Sequence, residues 1–467
     1  MGRSAGLLAV ILAALALSAP SLAATPQQLT ITASDGTALA CSLTEPDGTP
    51  PAGGWPALIA FHGLGGKHQD LEPSALAYVV PAGYAVLACD ARGHGASGGA
   101  FGLDGPRDVQ DTRELFTWLA ARPEISDTEI GAYGISLGGG AVWNAAAAGV
   151  PFKAIAPIIT WTNLLTSLAP QGLSKSGLVT YLAQLVPQSR WDPDLLAAVP
   201  ALTSSSNIAS VAGLSTPRSV STKLAALTVP TLLVQGRHDF LFDIDQALAA
   251  YKALQGPKAI YLGDLGHAPA ANPPAEAATY YKEIVAWFDR YVRGVAAAPK
   301  VAPVVLAHDP WDGAPTSFAS LPATKTISVA LPGTTAMTGA TGKVVRSVRI
   351  TGGPHETFGD STVTVAYSGA SGGWDHLVAV LAVAGSSTPI TAGGVKLSAA
   401  GGTATIKLLN EAVRIPAGKK LVVYLSSTSF AQDPANGLYA AAVQPSAQIT
   451  IGRATLHLSV LKKAVSR

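Results

Sequence analysis

The pentapeptide Gly134-Ile135-Ser136-Leu137-Gly138 constrains this chain more than any other stretch. It follows an apolar run, Ile130 to Ile135, and precedes a small-residue segment that reads as a helix from about Gly139. A serine at a sharp strand-to-helix turn adopts a strained backbone, and the turn lifts its hydroxyl above the end of the strand. Glycines on either side let such a turn close without Cβ clashes. In a chain with 48 glycines the bare string arises by chance, so the strand before it and the helix after it carry the inference. That context makes Ser136 a candidate nucleophile, and the helix N-terminus behind it favours a developing negative charge.

The surroundings repeat the same rhythm. Gln28 to Ala33 and Ala38 to Leu43 flank Asp35-Gly36, a hairpin signal. Ala57 to Phe61, Tyr84 to Cys89 and Ile130 to Ile135 are short apolar runs, each followed by a Gly-rich turn, as expected of strands buried on both faces. Helical patterns lie between them, among them Asp108 to Ala120. The alternation pauses from Trp161 to Leu224, rich in Leu, Ala, Ser and Pro, which reads as a helical cap inserted over the site. It resumes with Pro230 to Gln235, Ile244 to Leu254, Ala259 to Leu262 and a helix from Glu276 to Val292. Strand–helix alternation of this kind predicts a mostly parallel sheet covered on both sides, and the elbow makes it an α/β-hydrolase fold over residues 24–295.

A serine hydroxyl needs a base, and the base needs an orienting carboxylate. In this fold the chain order is serine, acid, histidine. Asp239 follows Pro230 to Gln235 through Gly236-Arg237-His238, and His267 follows the last strand through Gly263-Asp264-Leu265-Gly266. Both lie at the C-terminal edge of their strands, on the same rim as Ser136. The competitors are assigned elsewhere: Asp243 to capping the helix at Ile244, Asp264 to a turn, and His238 to a position too close to the acid to reach the serine. The oxyanion is expected to meet the backbone N–H groups of Leu137 and Leu64, the latter in His62-Gly63-Leu64-Gly65-Gly66. His62 is read as a brace for that loop, and Lys67 and His68 as exposed. Asp90 to Gly99 lacks Gly-Lys-Ser/Thr and dinucleotide spacing, so Asp90 and Arg92 are read as structural neighbours of the site.

Beyond Ala296 to Pro303, which reads as a linker, the pattern changes. Val344 to Ile350, Ser361 to Ala366, Leu377 to Val383, Ala404 to Leu409 and Lys420 to Leu425 alternate apolar and polar residues. Gly352-Gly353, Gly372-Gly373, Gly393-Gly394 and Gly401-Gly402 read as turns between strands. An all-β sandwich of jelly-roll type is expected over residues 300–467.

Four stretches together resemble the X-Pro dipeptidyl-peptidase and cocaine-esterase-like hydrolases. They are Asp90 to Gly99, the elbow at Ser136, Pro230 to Asp239 preceded by Arg218-Ser219, and Trp287-Phe288-Asp289-Arg290-Tyr291. Trp374-Asp375-His376-Leu377 and Ile415-Pro416-Ala417-Gly418 are similar to that family's β-domain patterns. The resemblance implies a hydrolase domain, a helical cap and a C-terminal jelly roll. It also implies cleavage of an ester or amide through an acyl-enzyme: a serine-type X-Pro dipeptidyl-peptidase or, alternatively, a carboxylesterase. Members commonly carry tyrosines near the first oxyanion loop and after the nucleophile. Here Leu64 and Leu137 stand there, so substrate preference does not carry over.

Other classes recede. A formal net charge of +2 without a basic run gives no electrostatic footprint for nucleic acid or an anionic membrane. No His/Cys/Asp/Glu cluster has metal-site spacing, and no cofactor is expected. A secreted binding protein that has lost catalysis is the alternative of another class. Arg3, the apolar run Leu7 to Leu17 and Ser21-Leu22-Ala23 read as a signal peptide cleaved after Ala23, which places the enzyme outside the cytoplasm without stable membrane insertion. The two cysteines, Cys41 and Cys89, are expected on neighbouring strands as buried free thiols, since a bridge across paired strands is often strained.

Overall fold

A computed structural model describes residues 24–340 and 342–466. The signal-peptide expectation lies outside the described residues.

Ten strands form the first sheet: β1 (Gln27–Thr32), β2 (Ala38–Thr44), β3 (Trp55–Phe61), β4 (Ala85–Cys89), β5 (Ile125–Ile135), β6 (Ile155–Ile158), β7 (Thr231–Gly236), β8 (Lys258–Gly263), β9 (Val304–Leu306) and β10 (Thr316–Phe318). Their order is β1-β2-β4-β3-β5-β6-β7-β8-β9-β10. Pairing is parallel from β4 through β3 to β9 and antiparallel at both ends. Strands β4 and β7 are buried along their whole length, because helices cover both faces. Helices Pro106–Ala120, Leu137–Ala147 and Ile244–Ala253 pack one face around Trp143, and Pro274–Tyr291 packs the other around Tyr133 and Phe288. This is an α/β-hydrolase-type sheet. It runs past residue 300, where a β-rich region was expected to begin, because the short apolar run Val304–Leu306 pairs with β8.

Between β6 and β7 the chain forms the helices Leu164–Leu168, Ser176–Leu182 and Pro193–Thr203. Their apolar sides make a core of their own around Trp161, Leu164 and Leu202. Among the described residues no helix is long and apolar enough to cross a membrane.

The rest is β-rich. It comprises β11 (Thr324–Leu331), β12 (Thr335–Thr338), β13 (Lys343–Arg349), β14 (His355–Glu356), β15 (Thr362–Ser371), β16 (His376–Val383), β17 (Pro389–Lys396), β18 (Gly402–Lys407), β19 (Arg414–Ile415), β20 (Lys420–Ser426) and β21 (Gln448–Leu461). One sheet has the order β11-β21-β15-β18, and another β13-β20-β16-β17. Inward residues of both, such as Val363, Leu377, Val423 and Leu456, share one core. Gly393-Gly394 is not a turn. It sits inside β17, where a Cβ on Gly393 would meet the Lys407 carbonyl and one on Gly394 would meet the Leu173 side chain.

Two further expectations are corrected. Cys41 and Cys89 form a disulfide. They face each other in the β2–β4 ladder with Cα atoms 3.9 Å apart. The Asp90 N–H bonds the Ala40 carbonyl beside them, so the pair occupies a non-hydrogen-bonded site, where antiparallel strands come closest. His68 is buried rather than exposed: its backbone N–H and its Nδ1 both lie 2.7 Å from Asp90 Oδ1.

Candidate active site

Ser136 sits between β5 and the helix Leu137–Ala147 with φ 57° and ψ −114°, a conformation that a non-glycine residue rarely holds. Glycine is obligatory around it. A Cβ on Gly134 would meet the Gly138 carbonyl, and one on Gly138 would meet the Phe61 carbonyl of β3. The Ser136 N–H is fixed to the Ile158 carbonyl at 2.9 Å.

The loops after β7 and β8 bring the other two residues to this point. Ser136 Oγ lies 2.9 Å from His267 Nε2, and His267 Nδ1 lies 2.9 Å from Asp239 Oδ2. The Asp239 carboxylate also accepts the N–H of His267 at 3.0 Å, of Leu241 at 2.9 Å and of Phe242 at 3.0 Å. Burial raises its pKa, but the His267 ring and these bonds outweigh that and hold the carboxyl below its ordinary value. With an ionised acid at Nδ1, the neutral imidazole carries its proton there and presents Nε2 as a base to Ser136. Phe242 stands edge-on to the His267 ring with centroids 5.3 Å apart, fixing its plane from the pocket side.

His62 and Asp90 brace the loops on the other side. The Ala91 N–H donates to His62 Nε2 at 2.9 Å, which leaves the proton on Nδ1 to donate to the Gly63 carbonyl at 2.7 Å. Burial pushes the His62 pKa down, in keeping with a neutral ring. Asp90 binds the backbone of His68 and Ala96, and the Arg92 guanidinium binds both Asp111 oxygens at 2.7 Å. Leu137 opens the elbow helix, so its N–H has no acceptor four residues back. A Cβ on Gly63 would stand 3.6 Å from Ser136 Cβ, so the loop carrying Leu64 passes directly over the serine.

The pocket beside Ser136 lies beneath the cap. Leu64, Trp161, Leu164, Val179, Leu202 and Phe242 are among its walls, and Ser136 is its one hydroxyl. Among the described residues no ionisable side chain lines it.

Sequence reasoning missed the residues beneath the acid. Asp243 stands at the helix start but does not cap it; its carboxylate instead accepts the Asn410 N–H at 2.9 Å. Glu411 accepts the Asp239 N–H, and the buried Lys175 of the cap donates to the Leu241 carbonyl at 2.9 Å. On the histidine side, Asn272 clamps the loop by bonding both the N–H and the carbonyl of Gly266 at 2.9 Å.

Residues 35–269 match the family described as X-Pro dipeptidyl-peptidase (S15 family). The chain belongs to that family. Solved structures similar to this S15-family chain include a CocE/NonD family hydrolase from Staphylococcus aureus, at TM-score 0.69 and 14% identity over 92% of this chain and 93% of that one. An aminopeptidase from a marine sediment archaeon, Thaumarchaeota archaeon, gives 0.68 and 14% over 96% and 98%. An alpha-amino acid ester hydrolase gives 0.63 and 13% over 96% and 98%. At such identities the likeness is one of fold, and it extends through the β-rich region. An uncharacterized 31.7 kDa protein of the traX-finO intergenic region of Escherichia coli is 36% identical over 93 residues, 20% of this chain. The alignment spans 32% of that curated relative.

Proposed function

We propose that this S15-family chain is a serine hydrolase that cleaves esters of apolar acids through an acyl-enzyme. Ser136 Oγ attacks the ester carbonyl carbon while His267 Nε2 takes the hydroxyl proton, and Asp239 stabilises the imidazolium that results. The N–H groups of Leu137 and Leu64 receive the oxyanion. When the tetrahedral adduct collapses, the alkoxide leaves with the proton from His267. Water then enters by the same route, and the acid is released.

The observation that carries the substrate class is the pocket wall, which offers hydrocarbon and nothing charged to a group bound beside Ser136. An X-Pro dipeptidyl-peptidase has to hold the ammonium of its substrate, and a buried cation without a carboxylate partner is costly. An acyl chain gains about 0.8 kcal/mol per buried methylene, or roughly fourfold in binding. The two antiparallel sheets of the β-rich region support its reading as a jelly roll, and the disulfide suits an exported protein.

The test uses p-nitrophenyl esters from acetate to octanoate and an X-Pro anilide, with wild type and Ser136→Ala. The proposal expects kcat/KM to rise roughly fourfold per methylene until the pocket is full, and Ser136→Ala to abolish turnover. Preference for the anilide would replace esterase with peptidase. No turnover and no fluorophosphonate labelling of folded wild type would point to a binding protein.

A further inference from the structure

The acid loop is shaped by a segment that lies far beyond it in sequence. From Arg237 to Asp245 the loop is bonded along its length to residues 407–412 of the β-rich region. The Ala412 N–H donates to the Arg237 carbonyl at 2.6 Å, and the Ile244 N–H donates to the Asn410 carbonyl at 3.2 Å. The Asn410 N–H reaches Asp243 at 2.9 Å, and Asn410 Nδ2 and Lys407 Nζ each reach Asp245 at 2.7 Å. In the middle, Glu411 Oε2 accepts the Asp239 N–H at 3.0 Å.

Glu411 is 2% exposed, and its other oxygen, Oε1, is buried with no hydrogen-bond partner. A carboxyl group with one bond and one orphaned oxygen is expensive to keep in an interior. Its one bond goes to the backbone of the residue whose side chain orients His267. Asp239, Asp243 and Lys175 are the charged groups around it, supplied by the acid loop and the cap. Burial first, then the charges of Asp243 and Asp239, raise the Glu411 pKa well above the ordinary carboxylate range, while Lys175 opposes them. A neutral Glu411 accepts the Asp239 N–H without placing a second full negative charge beside the acid.

We propose that Glu411, supplied by the β-rich region, is a positioning residue for Asp239: its bond to the Asp239 N–H sets the acid loop so that the carboxylate meets His267. The inference rests on the Ser136–His267–Asp239 reading. It makes the β-rich region part of the catalytic apparatus and not only a cover for it.

The experiment compares wild type, Glu411→Ala, Glu411→Gln and Ser136→Ala as full chains, on p-nitrophenyl butyrate across pH 5–9, with thermal unfolding followed in parallel. Glutamine keeps an acceptor oxygen of the same reach and cannot ionise. The expected result is a tenfold to hundredfold loss of kcat in Glu411→Ala at nearly constant KM, with a displaced acid limb of the pH profile. Glu411→Gln should recover most of kcat. The proposal is overturned if folded Glu411→Ala keeps wild-type kcat. It is equally overturned if Glu411→Gln folds but loses as much kcat as Glu411→Ala does. If alanine does not fold, the glutamine profile alone decides: near-wild-type kcat supports the proposal, and a hundredfold loss sinks it. Full activity in Ser136→Ala would instead remove the triad reading on which all of this stands.

Discussion

His267 stands between two environments with almost no chemistry in common. Toward Ser136 and the cap there is hydrocarbon, from Leu64 and Trp161 to Leu202. Toward Asp239 and the β-rich region there are buried carboxylates, a buried lysine and backbone groups bonded one to one. Apolar burial is non-directional, so the first side can grade substrates by surface without fixing them in one pose. Hydrogen bonds that join buried carboxyl groups and a buried lysine to the backbone are directional and costly to leave unmade, so the second side fixes one carboxylate in one orientation. On the proposed mechanism, selection and alignment are thus divided between the two sides.

That division is open to attack from either side. The largest effect is expected on the polar side. Asp239→Asn keeps the shape but favours the wrong imidazole tautomer, and kcat should fall by about 10⁴-fold with KM little changed. A fall of less than tenfold would mean that another group orients His267. On the apolar side, Val179→Asp places a carboxylate in the pocket wall and should lower kcat/KM for the octanoate ester by roughly a hundredfold, at a cost of a few kcal/mol for the buried charge. If the same variant gained turnover of an X-Pro anilide, the pocket would be shown to admit a peptide once it could hold the ammonium. Unchanged octanoate turnover would place the acyl chain elsewhere.

The smallest effect is common to both sides. His94 meets Phe101 of the pocket wall edge-to-face, and His238 precedes the acid; burial lowers each pKa from 6.5 to about 4. Both rings stay neutral in the fold while the unfolded chain takes up protons below pH 6.5. Their contribution is therefore complete above that pH and is lost as pH falls from 6.5 toward 4. The unfolding temperature should drop over that window, and less so in His94→Phe, which keeps an aromatic ring and cannot ionise. An equal drop in wild type and variant would clear His94 of the effect.

How far the sequence reveals these sides depends on the range of the signal. Asp239 and His267 stand out because each follows a strand through a short glycine-containing turn, and Ser136 because it ends a strand between Gly134 and Gly138, patterns readable within about ten residues. Strands β3, β4, β7, β8 and the second half of β5 are legible because strands buried on both faces are uninterrupted apolar runs, whereas β6, four residues long, carries no such mark. Glu411 has no such local mark: Leu409-Asn410-Glu411 reads as the end of a strand, and its partner lies 172 residues away. Lys175 looks like a surface lysine in a Ser-rich stretch until the cap folds over it. β9 is three residues long, too short for any periodicity. Gly393-Gly394 misleads because glycine serves equally for a turn and for a strand that another chain segment touches closely. β21 is harder to read because its alternation slips by one residue near Gly452-Arg453: Ile449 and Ile451 point inward before it, and Leu456, Leu458 and Val460 after it.

The bond between Asp239 and Glu411 also has a meaning in time. Synthesis at roughly 5–20 residues per second brings out a residue 172 positions later after about 10–30 s. From 28 residues into that interval the growing chain holds Ser136, Asp239 and His267 together, but the segment that seats the acid has not yet been made. On the proposed serine mechanism and the assignment of Glu411 given above, the enzyme is born unarmed, and its competence to cut arrives with its β-rich region rather than with Ser136.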